Sequence, residues 1–109
     1  MGVSKTDLFT KEQNELALMA KVFAHPARIA IIEYLLKSGT CINSSLVEEL
    51  GLAQATISQH LKELKQLEIL KGTVEGTSMC YCINQPVWEK VKHNFENLFN
   101  KYDSNKLCC

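Results

Sequence analysis

The chain has 109 residues, with twelve basic and twelve acidic side chains and a mean hydropathy close to zero. This length fits one domain with a modest core, and the cancelled charge counts against a nonspecific nucleic-acid binder that depends on charge alone. No apolar run approaches the roughly 20 residues that span a membrane, and the N-terminus lacks the apolar centre of a signal peptide. We therefore expect a cytoplasmic protein with no membrane partner.

The first part of the chain predicts two helices that meet at a proline. Thr10 and Gln13 have the spacing of a capping box, so a helix should begin after Thr10 and run to about Ala24. His25 precedes Pro26, and a residue before proline resists helical geometry, so Pro26 should begin a second helix. The residues expected to face the core from these helices are Leu16, Met19, Ala20, Phe23, Ile29, Ile32, Leu35 and Leu36.

Arg28 lies in the first turn of the second helix, where a cation gains nothing from the helix dipole. It should therefore have a specific anionic partner, either a buried carboxylate, which we favour, or a DNA phosphate. Gly39 is expected to cap this helix at its C-terminus, and a short connection follows at Thr40–Asn43.

The next stretch predicts a helix-turn-helix. Ser45 and Glu48 form a second capping box that starts a short helix, and Gly51 marks the turn after it. A longer helix is expected over 54–66, because Ile57, Leu61 and Leu64 share one face for the core.

The outer part of that longer helix carries small, amide, hydroxyl and basic side chains, which can contact bases or phosphates in the DNA major groove. An ordinary amphipathic surface helix would show the same pattern, so the flanking chain has to decide between them. The candidate DNA contacts are Gln54, Thr56, Ser58, Gln59, His60 and Lys62.

Residues 71–83 alternate in polarity around Glu75-Gly76, which predicts a β-hairpin. A hairpin directly after a recognition helix is a wing, and Lys71 at its base is a candidate DNA contact. Pro86 begins a final helix, expected over 86–102, with apolar residues at Val87, Val91, Phe95, Leu98 and Phe99. The fold class predicted is mostly α with a small β-hairpin wing, in a single domain over 1–109 with a loose arm at 1–9 and a flexible cysteine-containing tail at 103–109.

This order of elements resembles the ArsR family of bacterial winged-helix repressors. The resemblance covers about residues 16–90, and it rests on His25-Pro26-Ala27-Arg28, on the stretch from Leu52 to Lys62 that includes Gln54-Ala-Thr56-Ile57-Ser58-Gln59-His60, and on Glu75-Gly76 with Tyr81. It implies a homodimer that binds operator DNA and leaves it when an inducer binds. The dimer would form through the first and last helices, 10–24 and 86–102. Phe23, Trp88, Phe95 and Phe99 fit such an interface, although they could instead fill a monomeric core.

Two inducer sites of the family are missing from this sequence. One arsenic site lies in the first helix of the helix-turn-helix, and here that helix, residues 45–50, has no cysteine. The zinc site needs Asp and His in the first turn of the last helix, and here that turn is Gln85-Pro86-Val87. His93 and Glu96 are spaced to share a metal, but a solvated polar pair is the simpler interpretation.

Five cysteines remain as candidate sensors. As(III) takes three thiolates, and Cys108 with Cys109 supplies two of them at the end of the tail. The resemblance supports Cys41 of the other subunit as the third, because some arsenic-responsive relatives combine a terminal pair with a cysteine in this connection. Cys80 and Cys82 are two residues apart, so they share one face of a strand. They are either small apolar residues packed under the wing, metal ligands or a redox switch.

We therefore expect a repressor whose inducer is As(III) or Sb(III). A thiol redox or persulfide sensor, or a zinc or cadmium sensor of the same family, remains the alternative. An enzyme is not expected, because the sequence has neither a cysteine at a helix N-terminus nor a Cys-x-x-Cys motif, and no enzyme cofactor is expected either.

Overall fold

A computed structural model describes residues 5–38, 46–75, 78–103 and 105 of the chain. The described elements are a 3₁₀ turn at Lys5–Leu8, helices α1 (Lys11–Val22), α2 (Pro26–Ser38), α3 (Leu46–Leu50) and α4 (Gln54–Gln66), strands β1 (Leu70–Glu75) and β2 (Ser78–Ile83), and helix α5 (Gln85–Phe99). The predicted fold class, mostly α with a hairpin wing, is confirmed. Residues 5–8, within the predicted N-terminal arm, form the 3₁₀ turn.

The capping box predicted before α1 is present in full. The Thr10 hydroxyl accepts a hydrogen bond from the Gln13 backbone at 3.1 Å, and the Gln13 side chain accepts one from the Thr10 backbone at 2.9 Å. These bonds satisfy amide groups that a helix start otherwise leaves without partners. At its other end α1 stops at Val22, two residues before the predicted end, and α2 begins at Pro26 as predicted.

The buried face of α2 differs from the predicted stripe. Ile32 and Leu35 are buried, but Ile29 is 36% exposed and Leu36 is 49% exposed, while Ile31 is completely buried. Apolar residues occur nearly all round this helix, so their spacing does not single out one face. The core is formed by Val22, Ile31, Ile32, Leu35, Leu46, Ile57, Leu61, Leu64, Ile69, Leu70 and Val91.

Helices α3 and α4 are joined by the turn predicted at Gly51, whose φ of +65° lies in the left-handed region that glycine adopts without strain. Helix α4 spans the predicted residues, and the three residues expected to face the core, Ile57, Leu61 and Leu64, are at most 4% exposed. The chain then turns at Glu68, and Ile69 and Leu70 complete the core before the sheet.

The wing is an antiparallel pair in which Leu70 faces Ile83 and Glu75 faces Ser78. Residues 76–77 lie outside the described chain. Helix α5 follows and packs against α1 in the antiparallel sense: Phe23, just after α1, contacts Trp88 and Phe95 edge-to-face, with ring centroids 6.1 and 6.5 Å apart. The helix ends at Phe99, three residues before the predicted end.

Gly39, Thr40–Asn43, Ser45 and residues 106–109 lie outside the described chain, so the cap, the connection and most of the tail predicted there stay predictions. None of the described helices is both long enough and apolar enough to cross a membrane.

Candidate nucleic-acid interface

Helix α4 presents a polar surface to solvent, opposite its core face. Five of the six side chains proposed on α4 as DNA contacts are exposed: Gln54, Thr56, Ser58, Gln59 and Lys62. The N-cap residue, Ala53, makes no side-chain hydrogen bond, so the first amide groups of the helix also remain available to a phosphate. Lys71 is exposed at the start of the wing, after the end of the same helix.

Two of the exposed amides are held by neighbours one turn further along α4. The Gln54 side chain donates to the Ser58 hydroxyl at 3.0 Å, and the Gln59 side chain donates to the Glu63 carboxylate at 3.1 Å. Such bonds restrict the rotamers of long side chains, which lowers the entropy that binding has to remove.

The sequence predicted His60 as a DNA contact, but the structure does not place it on this surface. It is only 8% exposed and lies on the core side of α4. The reason is its position three residues after Ile57 and four before Leu64, which places it on the buried face of a helix.

Arg28 has the carboxylate partner that its position predicted. Its guanidinium forms an ion pair with Glu63 of α4. It also donates from Nε to Nδ1 of His60 at 3.2 Å and from a terminal nitrogen to the carbonyl oxygen of Val22 at 3.4 Å. Arg28 therefore links the end of α1 and the start of α2 to α4.

The pKa of one histidine in this cluster, His60, is lowered. Burial lowers the pKa of His60 below its usual 6.5, and the nearby His25 and Arg28 lower it further because a second positive charge there is unfavourable. The ring of His25 lies 4.4 Å from that of His60, and its Nδ1 accepts a hydrogen bond from the Ala27 amide. A neutral His60 can accept from Arg28 at Nδ1, and a protonated one cannot.

Sequence reasoning missed Glu63 as part of this site. The signal was available, because Glu63 lies four residues after Gln59 and their side chains meet on one helix face. Its pairing with Arg28 could not be seen, since the two residues are far apart in sequence.

The structure describes two of the five cysteines, Cys80 and Cys82. Cys80 is 3% exposed and disulfide-bonded, and Cys82, the other cysteine that the structure describes, is a half-buried free thiol whose sulfur lies 4.0 Å from the Lys71 carbonyl oxygen. Cys41, Cys108 and Cys109 lie outside the described chain, so their role as ligands stays a prediction.

His93 pairs with Asn97 at 3.2 Å and lies on the surface, as does Glu96. Among the described residues, no three His, Cys, Asp or Glu side chains come together closely enough to hold a metal ion.

A short helix, a glycine turn, a second helix with a polar outer face and a hairpin after it define a winged helix-turn-helix of the DNA-binding class. The sequence model of a family described as "Bacterial regulatory protein, arsR family" matches residues 25–71. An HTH-type transcriptional regulator of Methanocaldococcus jannaschii is 32% identical over 83 residues, which cover 75% of this chain and 93% of that protein. The chain therefore belongs to the ArsR family of transcriptional regulators.

Two further relatives extend the comparison. The transcriptional repressor PagR of Bacillus anthracis is 33% identical over 75 residues, covering 69% of this chain and 75% of PagR. Its crystal structure superposes with a TM-score of 0.59, covering 87% of this chain and 99% of that one. An arsenical resistance operon repressor of Staphylococcus xylosus is 28% identical over 94 residues, covering 86% of this chain and 88% of that protein. All three are named regulators or repressors of transcription, which supports the expectation that the chain is not an enzyme.

Proposed function

We propose that this chain is a homodimeric repressor that binds operator DNA through α4 and the wing and is released by As(III) or Sb(III) bound to cysteine thiolates. The observation that carries the DNA-binding part is the exposed polar face of α4, whose amides and hydroxyls are the groups that read base edges. The net charge is zero, so binding depends on such specific contacts more than on general attraction to phosphates.

Base reading is tested by Gln59→Ala. Losing one good base contact costs about 1–3 kcal/mol, so operator binding should weaken far more than binding to random DNA. Gln66→Ala is the matched control, because it removes the same exposed amide from the other end of α4. Fluorescence anisotropy on both DNAs measures the difference, with circular dichroism to check the fold. An equal loss on both DNAs would show that Gln59 contacts a phosphate.

Two observations support As(III) or Sb(III) as the proposed inducer. The first is the similarity to the arsenical resistance operon repressor of Staphylococcus xylosus, and the second is the thiolate chemistry of Cys41, Cys108 and Cys109, because soft sulfur ligands favour soft, thiophilic ions. In the proposed site, Cys41 of one subunit and the Cys108–Cys109 pair of the other hold one ion. Release requires that the ion bind free repressor more tightly than the DNA complex.

This assignment is tested by titrating the operator complex with arsenite and antimonite, in a phosphine reductant that keeps thiols reduced. Cys41→Ser and the double change of Cys108 and Cys109 to Ser should bind the operator like the wild type and resist release. Cys82→Ser, which alters a free thiol of the wing, is the matched control and should still be released. Release of the tail variant at the wild-type arsenite concentration would place the sensor elsewhere, and release by zinc or cadmium alone would identify a different inducer.

The disulfide of Cys80 supports a second candidate function, a repressor of the same family that senses thiol oxidation or persulfide. Oxidation of the Cys80 thiol with a second thiol to a disulfide, by a persulfide or a mild oxidant, would change how the hairpin meets DNA. In this case a persulfide donor or a mild oxidant should release the wild type from DNA, while Cys80→Ala should stay bound.

A further inference from the structure

The contact between Gln59 and Glu63 determines which way the Gln59 amide points. A carboxylate can only accept hydrogen bonds, so the group of Gln59 that lies 3.1 Å from Glu63 Oε1 has to be the NH₂ group. The carbonyl oxygen of the same amide then remains free, together with one N–H. The exposed amide therefore offers one acceptor and one donor in a fixed arrangement.

Glu63 can impose this orientation because its own carboxylate is fixed by an ion pair with Arg28. Its second carboxylate oxygen is buried and forms the ion pair with Arg28, whose side chain is 16% exposed. Arg28 is held in turn by His60 Nδ1 at 3.2 Å and by the carbonyl oxygen of Val22 at 3.4 Å. The ion pair also offsets the negative charge of Glu63, which would otherwise oppose the approach of DNA.

We propose that Glu63, fixed by Arg28, is the positioning residue that makes Gln59 select adenine over guanine at one operator position. This rests on the proposed DNA-binding function and adds to it the source of specificity. Adenine presents a donor, the N6 amino group, beside an acceptor, N7, which match the free carbonyl and N–H of Gln59. Guanine presents two acceptors, O6 and N7, and satisfying both requires both hydrogens of the Gln59 NH₂ group. One of these hydrogens is already donated to Glu63.

The first experiment selects binding sites from a random DNA library with full-length wild type and with Gln59→Ala. The position that loses its base preference in Gln59→Ala is the one that Gln59 reads. Glu63→Ala should lose the preference for adenine over guanine at that same position by about fivefold or more, and it should keep the preferences at the other positions. Glu89→Ala is the matched control, because it removes an exposed carboxylate from α5 and should leave all preferences unchanged.

The second experiment allows for loss of packing when Glu63 is truncated. Glu63→Gln keeps the shape of the side chain, but its amide can either donate or accept, so the orientation of Gln59 is no longer imposed. Operator DNA in which the selected adenine is replaced by purine lacks the amino group that donates to the Gln59 carbonyl. The wild type should lose about fivefold or more in affinity for this DNA, Glu63→Gln should lose less, and Gln59→Ala should be indifferent.

The outcomes separate the two levels of the proposal. A wild type that selects no sequence would overturn the proposed function itself. A wild type that reads adenine through Gln59, with Glu63→Ala and Glu63→Gln retaining the full adenine preference, would overturn the positioning role alone. A uniform loss of affinity for all sequences in both Glu63 variants, with every preference retained, would show a merely structural carboxylate and overturn it equally.

Discussion

His60 makes the stability of the chain depend on pH. Burial and the facing charged or titratable groups, His25 and Arg28, keep its pKa below the 6.5 of an unfolded chain. As pH falls through about 6.5, His60 takes up more protons in the unfolded state than in the folded state, so the free energy of unfolding decreases. Above that pH both states are neutral at this residue, and no dependence arises from it.

We therefore expect urea denaturation to give a lower free energy of unfolding at pH 5.5 than at pH 7.5. His60→Gln retains an oxygen that can accept from Arg28 and cannot be protonated in this range, so its stability should change less between the two pH values. His93→Gln, which changes an exposed histidine of α5, should behave like the wild type. A pH dependence that is the same in His60→Gln and the wild type would assign it to other groups.

Residues 28 and 60 show how far single positions can be predicted from the sequence. The position of Arg28 in a first turn required a carboxylate or phosphate partner, and a carboxylate is present, but only the tertiary fold brings Glu63 to it. His60 was placed among the DNA contacts because of its neighbours in the motif. Its helical position relative to Ile57 and Leu64 already indicated burial. Because histidine is polar, we instead expected it on the exposed face.

At the scale of elements, α4 is bounded by two residues in the left-handed region. Gly51 before it has φ +65°, and Glu68 after it has φ +62°. A side chain in this conformation costs about 1–2 kcal/mol. Within the described chain, a Cβ at Gly51 would meet no atom within 4 Å apart from its chain neighbours, so the cost of a substitution there is a backbone cost.

Gly51→Ala should therefore destabilise the chain by about 1–2 kcal/mol. Glu68→Gly should stabilise it by about 0.5 kcal/mol, because relief of strain exceeds the extra entropy of glycine in the unfolded chain. Urea denaturation of both variants measures the change in the free energy of unfolding, which should be negative for Gly51→Ala and positive for Glu68→Gly. Destabilisation by Glu68→Gly, or an unchanged Gly51→Ala, would contradict the conformations described.

The wing is expected to contribute to affinity without contributing to sequence preference. Lys71 is exposed at the base of β1, and a lysine that neutralises one phosphate releases about one counterion. Lys71→Ala should weaken binding to all DNA sequences similarly and reduce the slope of log K against log salt by about one unit. Lys90→Ala, exposed on α5, should keep the wild-type slope, and a Lys71→Ala slope equal to it would place Lys71 away from DNA.

The elements themselves were predictable where one local rule dominates. The capping box fixed the start of α1, proline fixed the start of α2, and a narrow apolar stripe fixed α4 and its core face. The buried face of α2 was less predictable, because Ile29, Ile31 and Leu36 are equally apolar and only the packing of α3, α4 and β2 against α2 selects Ile31. The proposed ion ligands, Cys41, Cys108 and Cys109, lie outside the described residues.

At the scale of the whole molecule, the chain is more extended than its length requires. Its Cα radius of gyration is 17.2 Å, against about 13 Å for a compact chain of about 100 residues. Among the aromatics expected at a dimer interface, Phe23 contacts both Trp88 and Phe95 within the chain. The apolar side chains left exposed at its two ends are instead Leu8, Phe9, Leu18, Leu98, Phe99 and Tyr102.

These exposed side chains belong to α1, α5 and the residues that adjoin them, which are the elements proposed to form the dimer. An apolar surface of this kind is rarely left uncovered in a monomer. Phe99 is 67% exposed, so Phe99→Asp should leave the subunit folded while placing an unpaired charge in the interface. We expect it to weaken dimerisation by about 30-fold or more, because truncating or charging a central aromatic costs about 2 kcal/mol or more.

Sedimentation equilibrium at micromolar concentration measures this effect. The wild type should sediment as a dimer and Phe99→Asp largely as a monomer, with the same circular dichroism spectrum. Leu36→Asp is the matched control, since Leu36 is 49% exposed on α2 and lies beside Leu50 of α3, and this variant should remain dimeric. A monomeric wild type would refute the homodimer, and a dimeric Phe99→Asp would move its interface off the end of α5.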